Sequence, residues 1–188
     1  YVVASLAAKE DLSAGMGDLL DQGNGGVCGP NSAAEQIQFD DKIEGLATDL
    51  PSRLFIYYTT RDIMGTVGSD SGVDNRSMLK AMNHSGFCLE KDWPYDLGKL
   101  KTRPTPNCYT GALEHKIDTY AAVQQTLTQM KACIASGFPF LFGFDAFNSI
   151  LTDYAANTGI VLDPAYMETP VGGHDVCFTG DTKVSLLD

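Results

Sequence analysis

Residues 21–37 read "DQGNGGVCGPNSAAEQI", a Gly-rich turn running into a segment that carries Ala33, Ala34, Ile37 and then Phe39 at helical spacing. This places Cys28 at the N-terminus of a helix, where exposed amide groups carry partial positive charge and favour thiolate over thiol. The helix start alone leaves two readings open, an inert thiol beside a loop and a sulfur nucleophile. Gln22 favours the second. Six residues before Cys28, across a Gly-rich loop, its amide can turn back toward the sulfur and donate, with the Cys28 backbone N–H, to a developing oxyanion.

Outward from this stretch the first half reads as helical. "LPSRLFIYYTTRDIMG" (50–65) starts at a Pro, repeats Leu54, Tyr57, Tyr58 and Ile63 at helical spacing, and stops at Gly65. "SDSGVDNRSMLKAMNHSG" (69–86) offers Asp70 or Ser71 as a cap, turns Met78, Leu79 and Met82 inward, and stops at Gly86. The Pro-rich "LGKLKTRPTPNCYTG" (97–111) reads as a crossing loop. Beyond it the character changes: one helix over 121–137, an apolar "FPFLFGFDAF" (138–147) suited to a buried strand, and later "HDVCFTG" (174–180).

His174 opens that last β-like run. Cys177 lies three positions on, and on a strand such positions face opposite sides, about 10 Å apart. Cys28 is therefore the better partner for His174.

Together "DQGNGGVCGPNSAAEQI", "SDSGVDNRSMLKAMNHSGFCLEKDWPYD" (69–96), "MKACIASGFPFLFGF" (130–144) and "VGGHDV" (171–176) resemble the papain-like cysteine peptidases, closest to their bacterial and viral branch. The spacing of 146 from position 28 to position 174 fits the range of about 130–150 typical of that family. The resemblance implies an α+β, two-lobe papain-like fold: a helical lobe over 1–105 with the nucleophile, and a β-rich lobe over 106–176, truncated at its C-terminal end, with the catalytic His. It implies Cys28 as nucleophile, His174 as acid and base, Gln22 in the oxyanion hole, a peptide or protein substrate, and no cofactor or metal. Two departures stand out. Gly25 and Gly29 occupy the places of the family's local Cys and aromatic residue, and no Asn follows position 157 to orient the imidazole. Asp175 is a poor substitute, because adjacent strand residues face opposite ways. A silent binding module, or an inactive unspliced precursor fragment, is the competing reading.

The tail "CFTGDTKVSLLD" (177–188) resembles the opening of an intein, which implies Cys177 as splice nucleophile and Val176–Cys177 as the scissile bond. The downstream intein blocks are missing, so splicing by these residues alone is not expected. Independently, "HDVCFTG" and "TKVSLL" (182–187) flank a Gly-Asp turn signal, and a hairpin is expected in which 174–179 join the sheet and 183–187 fold back. A truncated sheet edge would also invite pairing with a second copy.

Composition narrows the partners. With 24 acidic against 13 basic residues the formal net charge is −11, which repels phosphate backbones and anionic lipid, so nucleic acid and membrane are not expected partners. No apolar run reaches the roughly 20 residues that span a bilayer, and the opening "YVVASLAAKED" lacks the basic flank of a signal peptide. Five cysteines are an odd number without a C-x-x-C pair, so at least one thiol is expected free. Cys88, Cys108 and Cys133 allow three pairings or none. Trp93 reads as lobe packing.

Overall fold

Caps written into the sequence delimit the three long helices of the first half. The computed structural model describes residues 10–180. Helix α1 (Cys28–Glu44) begins at Cys28 and ends at Gly45, whose left-handed φ of 72° lets its N–H reach back to Asp41 and Lys42. Helix α2 (Arg53–Met64) is capped by the Ser52 hydroxyl, which accepts from Phe55 N, with Pro51 just outside it, and Gly65 closes it. Helix α3 (Asn75–Ser85) is capped by Asp74 and not by Asp70 or Ser71. Asp74 directly precedes the helix and reaches Ser77 N at 2.8 Å, whereas Asp70 is engaged elsewhere: its carboxylate accepts from Gly26 N and from the Tyr57 hydroxyl.

The central helix α2 is buried almost all round. Phe55, Ile56, Tyr57, Thr60 and Arg61 are shielded from solvent, while Ile63, grouped with the inward set by spacing, is exposed. A buried guanidinium is tolerable only with partners. Arg61 donates to the carbonyls of Tyr57, Val67, Ser69 and Leu100 and stacks on the Tyr57 ring.

The connection expected to be a loop folds in part. Pro106, pre-set for a first helical turn, starts the short helix α4 (Pro106–Ala112). Cys108 and Ala112 pack with Val27, Leu54, Phe55, Met78, Met82 and Trp93, so the first core reaches past position 105. Helix α5 (Leu127–Ala135) is shorter than expected because Thr126 caps it, accepting from Gln129 N. Strand β1 (Phe140–Ala146) follows, then the unanticipated short helix α6 (Asp153–Thr158) and strand β2 (Gly172–Phe178). The strands pair antiparallel, Phe140 opposite Phe178 and Phe144 opposite His174. Cys133, Ile134 and Phe140 form a second core with Phe142 and Phe178 around it.

At the far end of β2 the expected hairpin meets a different partner. Residues 174–178 do join β1, but Gly180, expected in a turn, bridges Asp11, and Leu12 N donates to Thr179 O at 2.8 Å. The segment before α1 thus continues the ladder at this point. Residues 183–187 lie outside the described residues.

Candidate active site

The Gly-rich loop and the start of α1 are built as one polar assembly. Arg53, only 8% exposed, donates through its guanidinium to both the Asp21 carbonyl and Asn31 Oδ1, one on each side of Cys28, and forms an ion pair with Glu90 at 2.8 Å. It also lies 3.7 Å from the Tyr95 ring centre, and the Tyr95 hydroxyl donates to the Gln22 carbonyl at 2.7 Å. Asn31 Nδ2 closes the turn onto the Val27 carbonyl, and the Asp70 carboxylate receives Gly26 N. The loop is therefore anchored from α2, from the Trp93–Tyr95 turn and from the stretch before α3. The Gln22 side-chain amide folds back across it and donates to the Gly25 carbonyl, three residues before Cys28, at 3.3 Å.

Cys28 is half-buried. Its helix turn is joined to β2 by one hydroxyl: Ser32 Oγ lies 3.1 Å from the Cys28 carbonyl and 3.1 Å from the Asp175 carbonyl, two legs that keep those oxygens within twice that distance. The residue before Asp175 is His174. The first turn of α1 is thus tied to the strand that carries His174, at the seam between the two cores. The His174 ring meets Phe144 edge to face at 5.7 Å, and no hydrogen bond to it occurs among the described residues.

Alternation along β2 separates His174 from Cys177. His174 shares a sheet face with the phenylalanines of β1 and with Phe178, whereas Asp175 and Cys177 are on the other face. Asp175, 8% exposed, accepts from Asn75 Nδ2 at 2.8 Å through Oδ1, while Oδ2 has no hydrogen-bond partner among the described residues. Burial holds this carboxyl above the ordinary carboxylate range, against the opposing pull of the Asn75 hydrogen bond and the charge of His174. Cys177 lines a cavity of about 340 Å³ with Ser13, Met16, Leu19, Glu35 and Thr179. Burial pushes its thiol up to about 12, and the Glu35, Asp40 and Asp175 carboxylates add to the rise.

The remaining thiols are structural. None of the five cysteines forms a disulfide, and Cys88, Cys108 and Cys133 are buried. Trp93 is 7% exposed within the first core. Among the described residues no group of three or more His, Cys, Asp or Glu could hold a metal, and no helix is long and apolar enough to cross a membrane. The sequence reading missed Ser32, Asn75 and Arg53. Only the Cys28-to-Ser32 spacing of one helical turn hints at the first; the other two contacts join segments far apart in the chain.

A Cys-bearing helix of one core packed against a His-bearing strand of the other defines a papain-like α+β architecture, and solved structures bear this out. The chain superimposes on procathepsin L 3 of Tenebrio molitor larval midgut with a TM-score of 0.70 at 14% identity, covering 94% of this chain and 55% of that one. Its likeness to xylellain, a cysteine protease from Xylella fastidiosa, is closer in sequence: TM-score 0.83 and 36% identity over 94% of this chain and 70% of that one. It is also 36% identical over 170 residues to an uncharacterised peptidase C1-like protein of Acanthamoeba polyphaga mimivirus, covering 86% of this chain but 55% of the viral protein. The chain thus spans about half the length of that relative. No family model matches it. By this kinship the chain belongs to the papain-like, C1-like cysteine peptidases.

Proposed function

We propose that this chain carries the catalytic dyad of a papain-like endopeptidase that hydrolyses peptide bonds through a thioester on Cys28. The Cys28 thiolate attacks the substrate carbonyl, and Gln22 with the Cys28 N–H donates to the tetrahedral oxyanion. His174 protonates the leaving amine, then deprotonates the water that releases the acid. The observation that carries this reading is the Ser32 hydroxyl shared by the backbones of Cys28 and Asp175, which seats the start of α1 against the His174 strand. The test is hydrolysis of a fluorogenic peptide by wild type and Cys28→Ala. Turnover that disappears in the variant supports the proposal; turnover unchanged in Cys28→Ala contradicts it.

The second part of the proposal is that an intein interrupts the peptidase at Cys177. Its support is the motif "CFTGDTKV" (177–184), which begins inside the His strand. In the host fold the Val176–Cys177 bond lies within the β1–β2 ladder, opposite Phe142 and Leu141, so splicing would have to precede docking of this strand. Expressing the complete reading frame with and without Cys177→Ala, and measuring intact masses, tests it. A shorter ligated product that is absent in the variant is expected; identical masses contradict it. Association of two copies through the sheet edge is part of the same reading and is tested by sedimentation, with a strict monomer at high concentration counting against it.

A further inference from the structure

The strand carrying His174 is held from two sides by groups the proposed mechanism does not use. Asn75, the first residue of α3, donates to Asp175 Oδ1 at 2.8 Å, and Ser32 of α1 donates to the Asp175 backbone carbonyl at 3.1 Å. The carboxyl is buried between two glycines. A Cβ placed on Gly143 of β1 would lie 3.5 Å from Oδ1, and one on Gly29 of α1 would lie 3.6 Å from Oδ2. Both distances are ordinary van der Waals contact, so the carboxyl lies closely against the backbone of both glycines. One residue of β2 is thus tied by its backbone to the Cys28 helix and by its side chain to a second helix of the first core.

We propose that Asp175, gripped by Asn75 and Ser32, is the positioning residue that sets His174 against Cys28. The inference rests on the Cys28–His174 dyad proposed above. Asp175 acts through the chain and does not touch substrate. A buried hydrogen bond on the residue next to the imidazole fixes the local strand path, and with it the direction in which the ring leaves the backbone. Among the neighbouring groups, His174 and Cys177 of its own strand are titratable, while Asn75, Ser32, Gly29 and Gly143 bring no charge from α3, α1 and β1.

The test is the pH profile of Cys28 alkylation by iodoacetamide, read site by site by mass spectrometry, which requires no turnover. A paired thiolate reacts well below the ordinary thiol pKa of about 8.5. In wild type the rate should hold its plateau down to pH 6. Asn75→Ala and Asn75→Asp should lower the pH 6 rate by about 10- to 100-fold and leave the pH 10 rate unchanged. Exchanging the two partners, N75D with D175N, should recover most of the loss, because an amide and a carboxylate again face each other. A purely structural role would lower the melting temperature of the single variants without moving the profile, and that result would overturn the positioning role alone. If wild-type Cys28 itself titrates like a free thiol, the dyad falls and the positioning role falls with it.

Discussion

Replacing Arg53 by Met tests how the nucleophile loop is held. The guanidinium is 9% exposed at its side chain, forms an ion pair with Glu90, donates to Asn31 and to the Asp21 carbonyl, and stacks on Tyr95. Methionine preserves the length of the stem but strands Glu90, Asn31 Oδ1 and a carbonyl together. Breaking a buried pair by removing one partner costs about 3–5 kcal/mol. The Glu90 side chain keeps 17% exposure and can regain some water, which places the cost near the lower end, about 3 kcal/mol. Set against a total stability of about 5–15 kcal/mol this is a large fraction. For a chain of this size it amounts to a fall of about 6–12 °C in melting temperature. Arg53→Lys keeps a charge near Glu90 but cannot serve both flanks of Cys28 at once, so a loss of about 1–2 kcal/mol is expected. Urea titration followed by circular dichroism measures both. A Met variant within 1 kcal/mol of wild type would refute the argument that this network, and not apolar packing alone, anchors the loop.

Three further outcomes follow from other parts of the molecule. Cys177, its thiol pushed up to about 12 by burial, should stay unmodified by iodoacetamide at pH 7.5 after Cys28 is fully labelled, as read by peptide mapping. Burial, with repulsion from Glu44 and Asp41, pushes the Asp40 carboxyl up to about 6, so the folded state binds this proton more tightly than the unfolded chain does. The stability it contributes is present below about pH 4 and is lost as pH rises to 6, so Asp40→Asn should raise the melting temperature at pH 7.5 and confer nothing at pH 3.5. Gly86 has a φ of 74°, and a Cβ there would lie 1.8 Å from the Ala112 carbonyl oxygen; Gly86→Ala should destabilise by on the order of 3 kcal/mol or more in a urea titration.

The legible parts of this fold are those whose signals are local. The start of α1 at Cys28 follows from a Gly-rich turn before an apolar period, the stops at Gly65 and Gly86 from left-handed or otherwise Gly-favouring backbone, and β1 from a run of aromatic residues. The cap of α3 is misplaced because Asp70, Ser71 and Asp74 could each serve, and tertiary demand from Gly26 and Tyr57 takes Asp70 away. Helix α4 was hidden by two prolines and a threonine that read as loop, although burial of Cys108 and Ala112 in the first core stabilises it. For the candidate site, Cys28, His174 and Gln22 are the residues that residue type, spacing and the family resemblance single out. Asn75 and Ser32 could not, because their partner, Asp175, is 100 and 143 residues away. The pairing of Gly180 with Asp11 is hidden for the same reason.

The central claim is that Cys28 and His174 form a reactive pair. The most direct measurement is covalent labelling by a peptide bearing an electrophilic epoxide near neutral pH, mapped by mass spectrometry in wild type and His174→Ala. The account predicts a single adduct on Cys28 that forms rapidly in wild type and slows by about 100-fold or more in the variant. An adduct on Cys177 or Cys88, or a Cys28 adduct whose rate does not depend on His174, would contradict it.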